Sequence, residues 1–337
     1  MLDIRFRECG GSGCTGEPIL DPASGIQHRA ARSQNRFAGS RRAVFAFLLM
    51  AAIPVLGDAQ EIEPRTYANT PVGMNFLAFG YSYSSGNVFM DPALPIEDVD
   101  AQIHLAFARY IRTFSLFGRP AKIKALLPWS DGHWDGFLEG EYRTRDVRGL
   151  ADPRLGLDLL LSGAPALDAA EFRGYQQKLV IGLRFDLVTP FGQYDSARLI
   201  NLGSNRWSFH SEIGASKAIG KWTLEGAAGA WFYMDNDDFF GGMTLSQDPF
   251  LVIKANVIRS VRPGFWWAVG MGYGQGGQTA VDGISRDTNQ KNWRITAMLV
   301  VPISPTQGLS LSAASGRTFQ AGPNFNVVAI AYQIAWN

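Results

Sequence analysis

Residues 178–188 constrain the fold of this chain more than any other stretch. Apolar side chains occupy every second position, and the positions between them carry the charges of Lys178, Arg184 and Asp186. Because successive side chains of a strand point to opposite faces, this pattern predicts one strand with an apolar face and a polar face. A single strand of this kind fits a soluble sheet and a membrane barrel equally well. The recurrence of the pattern and the character of the N-terminus decide between the two.

The N-terminal part of the chain predicts export from the cytoplasm. Residues 43–57 form the only long apolar run, follow Arg36, Arg41 and Arg42, and lead to small residues around Ala59. The run is too short to cross a bilayer as a helix, but it has the layout of a secretory signal peptide. A buried core helix is the alternative interpretation. We therefore predict that residues 1–59, a signal peptide with an upstream extension, are removed, and that residues 60–337 form a single outer-membrane barrel domain.

Cysteine and charge exclude several classes of function. Both cysteines, Cys9 and Cys14, precede the predicted cleavage point, so the exported chain has no thiol for a disulfide or for catalysis. Of 31 Lys and Arg and 30 Asp and Glu, seven and five lie within residues 1–59, which leaves 24 and 25. This balance gives no indication of nucleic-acid binding.

The alternation recurs often enough to predict an all-β, antiparallel transmembrane β-barrel of about 12 strands. The predicted strands are 72–84, 99–112, 121–129, 152–162, 178–188, 206–217, 221–233, 247–260, 265–275, 290–301, 309–315 and 324–336. The chain before residue 72 is predicted to be a short mobile start. Long loops at 130–151, 189–205, 234–246 and 276–289 alternate with shorter turns, which matches extracellular loops and periplasmic turns. A soluble β-sandwich would explain the alternation but not the aromatic residues near strand ends, such as Trp129, Trp222 and Trp336.

The inward face of the predicted barrel is charged, with an excess of basic residues. The predicted pore-lining set is Lys122, Lys124, Arg154, Asp158, Lys178, Arg184, Asp186, Arg206, His210, Glu212, Lys221, Glu225, Lys254 and Arg294. One interpretation is a pore that favours anions. The other is a bore closed by salt bridges between long side chains that reach across it. The sequence leaves both open.

Motifs for catalysis or cofactor binding are weak. Residues 272–277 carry the letters of a dinucleotide fingerprint but lack the following helix, and the acidic run Asp235, Asp237 and Asp238 lacks the glycine and glutamate of a calcium loop. Ser208 and His210 could belong to a barrel lipid hydrolase, but residues two apart on a strand are roughly 7 Å apart and cannot form a catalytic chain alone. We expect no enzymatic activity, no cofactor and no metal.

Several short motifs resemble one family. They are Tyr67-Ala-Asn-Thr-Pro-Val-Gly-Met-Asn-Phe, Asp91-Pro-Ala-Leu-Pro-Ile-Glu-Asp, Ala151-Asp-Pro-Arg, Gly163-Ala-Pro-Ala-Leu, Pro190-Phe-Gly-Gln-Tyr-Asp, Asn201-Leu-Gly-Ser-Asn-Arg-Trp and Gln247-Asp-Pro. Together they resemble the outer-membrane family named for the MetA-pathway of phenol degradation. The resemblance implies a barrel associated with the uptake of aromatic compounds.

The resulting expectation is an outer-membrane channel of a Gram-negative bacterium that passes small molecules, including phenol- or benzoate-type compounds, by passive diffusion. Extracellular loop aromatics would assist aromatic solutes, and these are Trp134, Phe137, Tyr194 and Phe239. Expected partners are outer-membrane lipid, the solute and the barrel-assembly machinery. The alternatives are a closed structural or adhesion barrel whose loops bind partners and, further off, a barrel lipid hydrolase.

Overall fold

The computed structural model describes residues 62–89, 96–138, 140–285, 288–318 and 322–337. The predicted signal peptide, with Cys9 and Cys14, lies outside these residues and stays a prediction. No helix within the described ranges is long and apolar enough to cross a membrane.

Within the described residues the chain is built from β-strands and one short 3-10 turn at Glu171–Gly174. The strands are β1 (Asn75–Phe89), β2 (Ile96–Leu116), β3 (Arg119–Leu138), β4 (Glu141–Leu150), β5 (Arg154–Ser162), β6 (Leu179–Val188), β7 (Ser208–Ile219), β8 (Trp222–Tyr233), β9 (Asn236–Phe239), β10 (Met243–Gln247), β11 (Phe250–Arg262), β12 (Phe265–Gly276), β13 (Thr279–Val281), β14 (Ile284–Ser285), β15 (Gln290–Ser304), β16 (Gln307–Thr318) and β17 (Gly322–Trp336).

The strands close into an antiparallel barrel, which confirms the predicted fold class. Each wall strand pairs with its neighbours in chain order, and β17 pairs with β1 along its whole length, from Asn75 opposite Trp336 to Phe89 opposite Gly322. β5 pairs with the first half of β3 and with β6, and it is the fourth of twelve wall strands in the described chain. β4 pairs with the second half of β3. Closure satisfies the backbone hydrogen bonds that a sheet edge would leave open in hydrocarbon.

The alternation in residues 178–188 separates the outside of the barrel from its interior, which we call the bore. Leu179, Ile181 and Phe185 are exposed on the outer surface, while Arg184 and Asp186 are buried inside. The same division holds around the wall, where apolar outward side chains stay exposed because lipid is their solvent. The bore has two sides: charged groups dominate on the first half of β3 and on β5–β8, whereas an apolar cluster that includes Phe107, Trp266 and Met298 draws its residues from β2, β11, β12, β15 and β17, with Leu126 of β3.

Residues 130–151 are not the loop that the sequence predicted. Ser130–Leu138 continues β3, and Glu141–Leu150 pairs with it as a hairpin above the wall. At 20 residues, β3 is about twice as long as hydrocarbon requires. The outward side chains of Asp131, His133 and Asp135 in this second half of β3 are polar, and Asp131 is hydrogen-bonded to Arg148 and His133 to Asp146. Because this outer face is polar, the sequence of this part of β3 shows no apolar alternation and did not predict a strand.

Two other predicted loops also contain strands. The loop 234–246 holds β9 and β10, and the loop 276–289 holds β13 and β14. These four strands form a separate small sheet at the long-loop end of the barrel. Their strands are two to five residues long, too short to show a periodic pattern in the sequence.

Candidate functional site

The residues before β1 fill the bore. Residues 62–70, which we call the plug segment, are all buried; Ile62 is 7% exposed and Tyr67 is 2% exposed. Their partners lie on the inner faces of β2, β3, β6, β7, β8, β11 and β12. The predicted mobile start is therefore wrong for these residues. The plug segment runs from Ile62, beside Gly270 and Gly272 in the middle of β12, to the short-turn end, where β1 begins.

Glu63 is the electrostatic anchor of the plug segment. Its carboxylate accepts hydrogen bonds from Arg109, with Oε1 2.5 Å from the guanidinium Nη2, and from Arg184. Burial alone would raise the pKa of this carboxyl, but the positive charges of Arg109, Arg184 and Lys124 outweigh it and hold the pKa well below its usual value. Glu63 precedes the first membrane-spanning strand, and it stays ionised throughout the physiological pH range.

The Tyr67 ring packs against Gly182 of β6 and Gly214 of β7, where the wall carries no side chains. A Cβ added at Gly214 would lie 2.1 Å from the Tyr67 ring, and one added at Gly182 would lie 2.8 Å from it. The phenol hydroxyl donates a hydrogen bond to Glu212, 2.7 Å away. The two glycines thus make room for the aromatic ring, and Glu212 fixes its end.

Backbone groups of the plug segment also form hydrogen bonds with side chains of the barrel wall. Lys122 donates from Nζ to the carbonyl oxygens of Thr66 and Ala68, at 2.9 and 3.2 Å. The Arg65 amide donates to Glu225 at 2.7 Å, and the Arg65 guanidinium lies 4.8 Å from the centre of the Trp266 ring. These contacts satisfy groups that would be costly to bury alone.

The plug segment is hydrogen-bonded to the connection 163–178 between β5 and β6, at the short-turn end of the barrel. Asn69 donates from Nδ2 to the Pro165 carbonyl at 3.0 Å, and the Val72 amide donates to the Leu167 carbonyl at 2.8 Å. The motif that starts at Tyr67 and the motif that starts at Gly163 are thereby brought into contact. Their joint role is to hold the plug segment.

A network of ion pairs and hydrogen bonds surrounds the plug segment. Lys124 contacts Asp158 at 2.7 Å, His210 Nδ1 lies 3.1 Å from Asp186, and Lys254 contacts Glu212 at 2.6 Å. A void of about 20 Å³ beside this network has room for about one water molecule. The bore is therefore narrow here.

The predicted pore-lining residues divide by position. Buried or nearly buried inside the bore are Lys122, Lys124, Asp158, Arg184, Asp186, His210, Glu212, Glu225, Lys254 and Arg294. Arg154 and Arg206 are partly exposed and lie over the rings of Trp231 and Tyr233. Lys178 and Lys221 are exposed at the short-turn rim. The role of the set in conduction stays a prediction.

A second closed region lies at the long-loop end, where the loop 189–207 folds over the mouth. One Asp152 carboxylate oxygen accepts from the Gly192 amide at 2.8 Å, and the other accepts from the Ser204 amide and hydroxyl at 2.7 and 2.6 Å. Ile200 and Leu202 pack against a cluster that includes Trp134 inside the mouth. Three of the quoted motifs thus meet at Asp152.

A cleft of about 450 Å³ lies between this loop and the β3–β4 hairpin. The residues that line it include Trp134, Phe137 and Phe240 and three arginines, Arg143, Arg145 and Arg198. Trp134 and Phe137 were predicted as loop aromatics, although both lie on β3. Tyr194 is instead a structural residue, since its hydroxyl donates to the Asp238 carbonyl and accepts from Asn236. Phe239 does not line this cleft; its neighbour Phe240 does.

His210 is embedded in the bore. Besides its contact with Asp186, its ring stacks on Trp231 with centroids 4.7 Å apart. Its Nε2 lies 3.6 Å from Glu212, which is itself held by Lys254. Among the described residues, no group of three or more His, Cys, Asp and Glu side chains is placed to hold a metal ion.

Comparison with known proteins identifies the family. The family described as "Putative MetA-pathway of phenol degradation" matches residues 80–332. The chain belongs to this family. No curated protein matches it.

Several solved structures are similar to this chain. The COG4313 outer membrane channel from Pseudomonas putida F1 has a TM-score of 0.69 at 22% identity, over 82% of this chain and 100% of that one. The β domain of the Bordetella autotransporter BrkA has a TM-score of 0.47 at 10% identity, over 77% and 99%. The CymD monoaromatic hydrocarbon channel has a TM-score of 0.43 at 10% identity, over 88% and 99%. The first similarity establishes the outer-membrane barrel fold.

The sequence did not predict a role for five residues of these sites. They are Glu63, Tyr67, Arg109, Asp152 and Arg145. Two of them lie in motifs that carried the resemblance, at Tyr67 and at Ala151-Asp-Pro-Arg. Polar residues inside Pro- and Gly-containing motifs are typical of segments that turn and are held by side-chain hydrogen bonds. That signal could have indicated ordered segments but not their partners.

Proposed function

We propose that the protein is an outer-membrane channel that passes small molecules, aromatic compounds among them, by passive diffusion. The observation that carries the proposal is a closed barrel with an apolar outer face around a bore whose inner wall is charged. A purely structural barrel would have no need of so many buried ionisable groups, which are costly to retain. Membership of a family described by phenol degradation, and a fold shared with an outer-membrane channel, support the same proposal.

The two sides of the bore favour aromatic anions as solutes. One side offers basic groups such as Lys124 and Arg184, and the other offers the apolar surface around Phe107 and Trp266. A phenolate or benzoate presents a charged end and an apolar ring, so it matches both sides at once. Of the predicted lining set, five Lys and Arg and four Asp and Glu are buried in the bore, and the buried Arg109 adds a sixth positive charge, which favours anions over cations.

Conduction requires the plug segment to move. The segment fills the bore and is held by contacts with several wall strands, so the structure corresponds to the closed state in this proposal. Because the segment joins β1 at the short-turn end, it can leave the bore towards the periplasm without disturbing the wall. Diffusion then needs no energy source beyond the solute gradient.

The filled bore also favours one alternative, a closed structural or adhesion barrel whose loops bind partners. Single-channel recording in planar bilayers, on protein extracted from outer membranes, separates the two. The channel proposal predicts discrete openings with a reversal potential that indicates anion selectivity, and a measurable benzoate current. Folded, heat-modifiable protein that never opens would favour the closed barrel.

A further inference from the structure

We infer that the cleft between the loop 189–207 and the β3–β4 hairpin binds single-ring aromatic carboxylates, with Arg145 as the counter-ion. The inference rests on the proposed function, because it places the first binding station of the channel at its outer mouth. The cleft volume, about 450 Å³, falls in the range of small-molecule sites.

Arg145 is the guanidinium that is available to a ligand. Its Nε is buried and has no hydrogen-bond partner among the described residues. The other two arginines of the cleft have acidic neighbours, since Arg143 pairs with Glu141 and Arg198 lies 3.9 Å from Asp195. The Arg145 side chain as a whole is partly exposed and lines the cleft, so a ligand carboxylate can neutralise its charge with a charge-assisted hydrogen bond.

The register between β3 and β4 places the Arg145 side chain on the face of the hairpin that lines the cleft. Arg145 lies directly opposite Trp134 on the paired strand, so the two side chains share one face of the hairpin. Asp135 also lines the cleft, but it is next to Trp134 in the chain, so alternation turns its side chain to the opposite face. Its carboxylate there accepts a hydrogen bond from Tyr142 at 3.2 Å.

Aromatic side chains supply the apolar half of the site. Trp134 lies on the same face of the hairpin as Arg145 and is buried, and Phe240 is 37% exposed, so its ring is accessible to a bound ring. Phe137 has the parity of Asp135, and its ring packs against Tyr142 on the opposite face. Aromatic rings prefer offset or edge contacts with each other. A single aromatic ring with one carboxylate therefore matches the cleft in both charge and shape.

The test is isothermal titration calorimetry of detergent-extracted protein with benzoate and with benzamide, its neutral counterpart. We expect Arg145→Gln to weaken benzoate binding at least tenfold and to leave benzamide binding unchanged. The matched control is Arg148→Gln on the same strand, whose exposed side chain pairs with Asp131 on the outer face and should not affect either ligand. A heat-modifiability shift on gels verifies that each variant is folded.

A second variant tests the apolar half without touching charge. Phe240→Ala, in an exposed loop, should weaken benzoate and benzamide alike. Equal benzoate affinity in wild type and Arg145→Gln, or no benzoate binding by wild type, would overturn the inference. A benzoate current without saturable benzoate binding would contradict the cleft site and leave the channel proposal intact. Saturable benzoate binding without any current would support the cleft site and contradict the channel proposal.

Discussion

The hold of Glu63 on the plug segment gives a quantitative prediction. Glu63 is 5% exposed and bridges Arg109 and Arg184, which come from different wall strands, so Glu63→Gln removes the carboxylate charge that these two buried guanidinium groups share. Arg184 keeps its contact with Asp158 at 3.2 Å. Breaking a buried pair in this way costs about 3–5 kcal/mol. Glutamine still accepts one hydrogen bond, which places the expected cost at the lower end.

This free-energy cost shifts the equilibrium of the plug segment from the docked to the free state, and so it should increase channel opening. Since about 1.4 kcal/mol is a factor of ten, a loss of about 3 kcal/mol should raise the free-to-docked ratio of the plug segment roughly 100-fold. Single-channel recording should then show a rise in open probability of about two orders of magnitude, with unchanged single-channel conductance. The matched control is Glu141→Gln, which removes an exposed acid paired with Arg143 and should change open probability less than about twofold.

Two results would refute this reasoning. An open probability in Glu63→Gln equal to that of wild type would mean that the plug segment does not limit conduction. A changed conductance per opening, with unchanged open probability, would mean that ions pass beside a docked segment. Heat-modifiability of the purified variant separates both results from a failure to fold.

Three further perturbations test separate parts of the structure. Tyr67→Phe removes the hydrogen bond to Glu212 and should raise open probability about tenfold, less than Glu63→Gln, because Lys254 still satisfies Glu212; an effect as large as that of Glu63→Gln would contradict the ranking. Asp152→Ala removes three hydrogen bonds from the loop 189–207, so limited proteolysis should cut that loop faster while the barrel stays folded; unchanged cleavage would show that Asp152 does not hold it. Val257→Lys puts a charge on the outer face near the middle of β11 and should reduce the free energy of unfolding in lipid vesicles by about 2–4 kcal/mol; a loss below 1 kcal/mol would show that this face does not meet the bilayer core.

The wall of the barrel could be predicted because its physics is local. Wherever hydrocarbon lies outside and polar groups lie inside, as at Phe185 and Asp186, each strand shows the same two-residue period. The upper half of β3 was missed because Asp131 and His133 face water on the outer side, so no apolar stripe remains. The count of twelve strands survived this error, since the hairpin lengthens existing wall strands.

The site could be predicted only in part because its contacts are far apart in the chain. The pairing of Glu63 with Arg184 joins residues 121 positions apart, and no local pattern specifies it. Lys122, Arg184 and Glu212 were placed inside by parity, but their partner in the plug segment was not. A polar segment of proline and asparagine ahead of the first strand looks unstructured until the complementary wall is known.

The most direct test of the account locks the plug segment in the bore. A Cβ placed at Gly272 would lie 3.2 Å from Cγ1 of Ile62, which suits a disulfide in an Ile62→Cys, Gly272→Cys variant. The only native cysteines, Cys9 and Cys14, lie in the predicted signal region, so the engineered pair would contain the only thiols of the exported chain. The account predicts channels that open under reducing conditions and stay closed when oxidised, in the same bilayer. Equal conductance in both conditions would contradict gating by the plug segment.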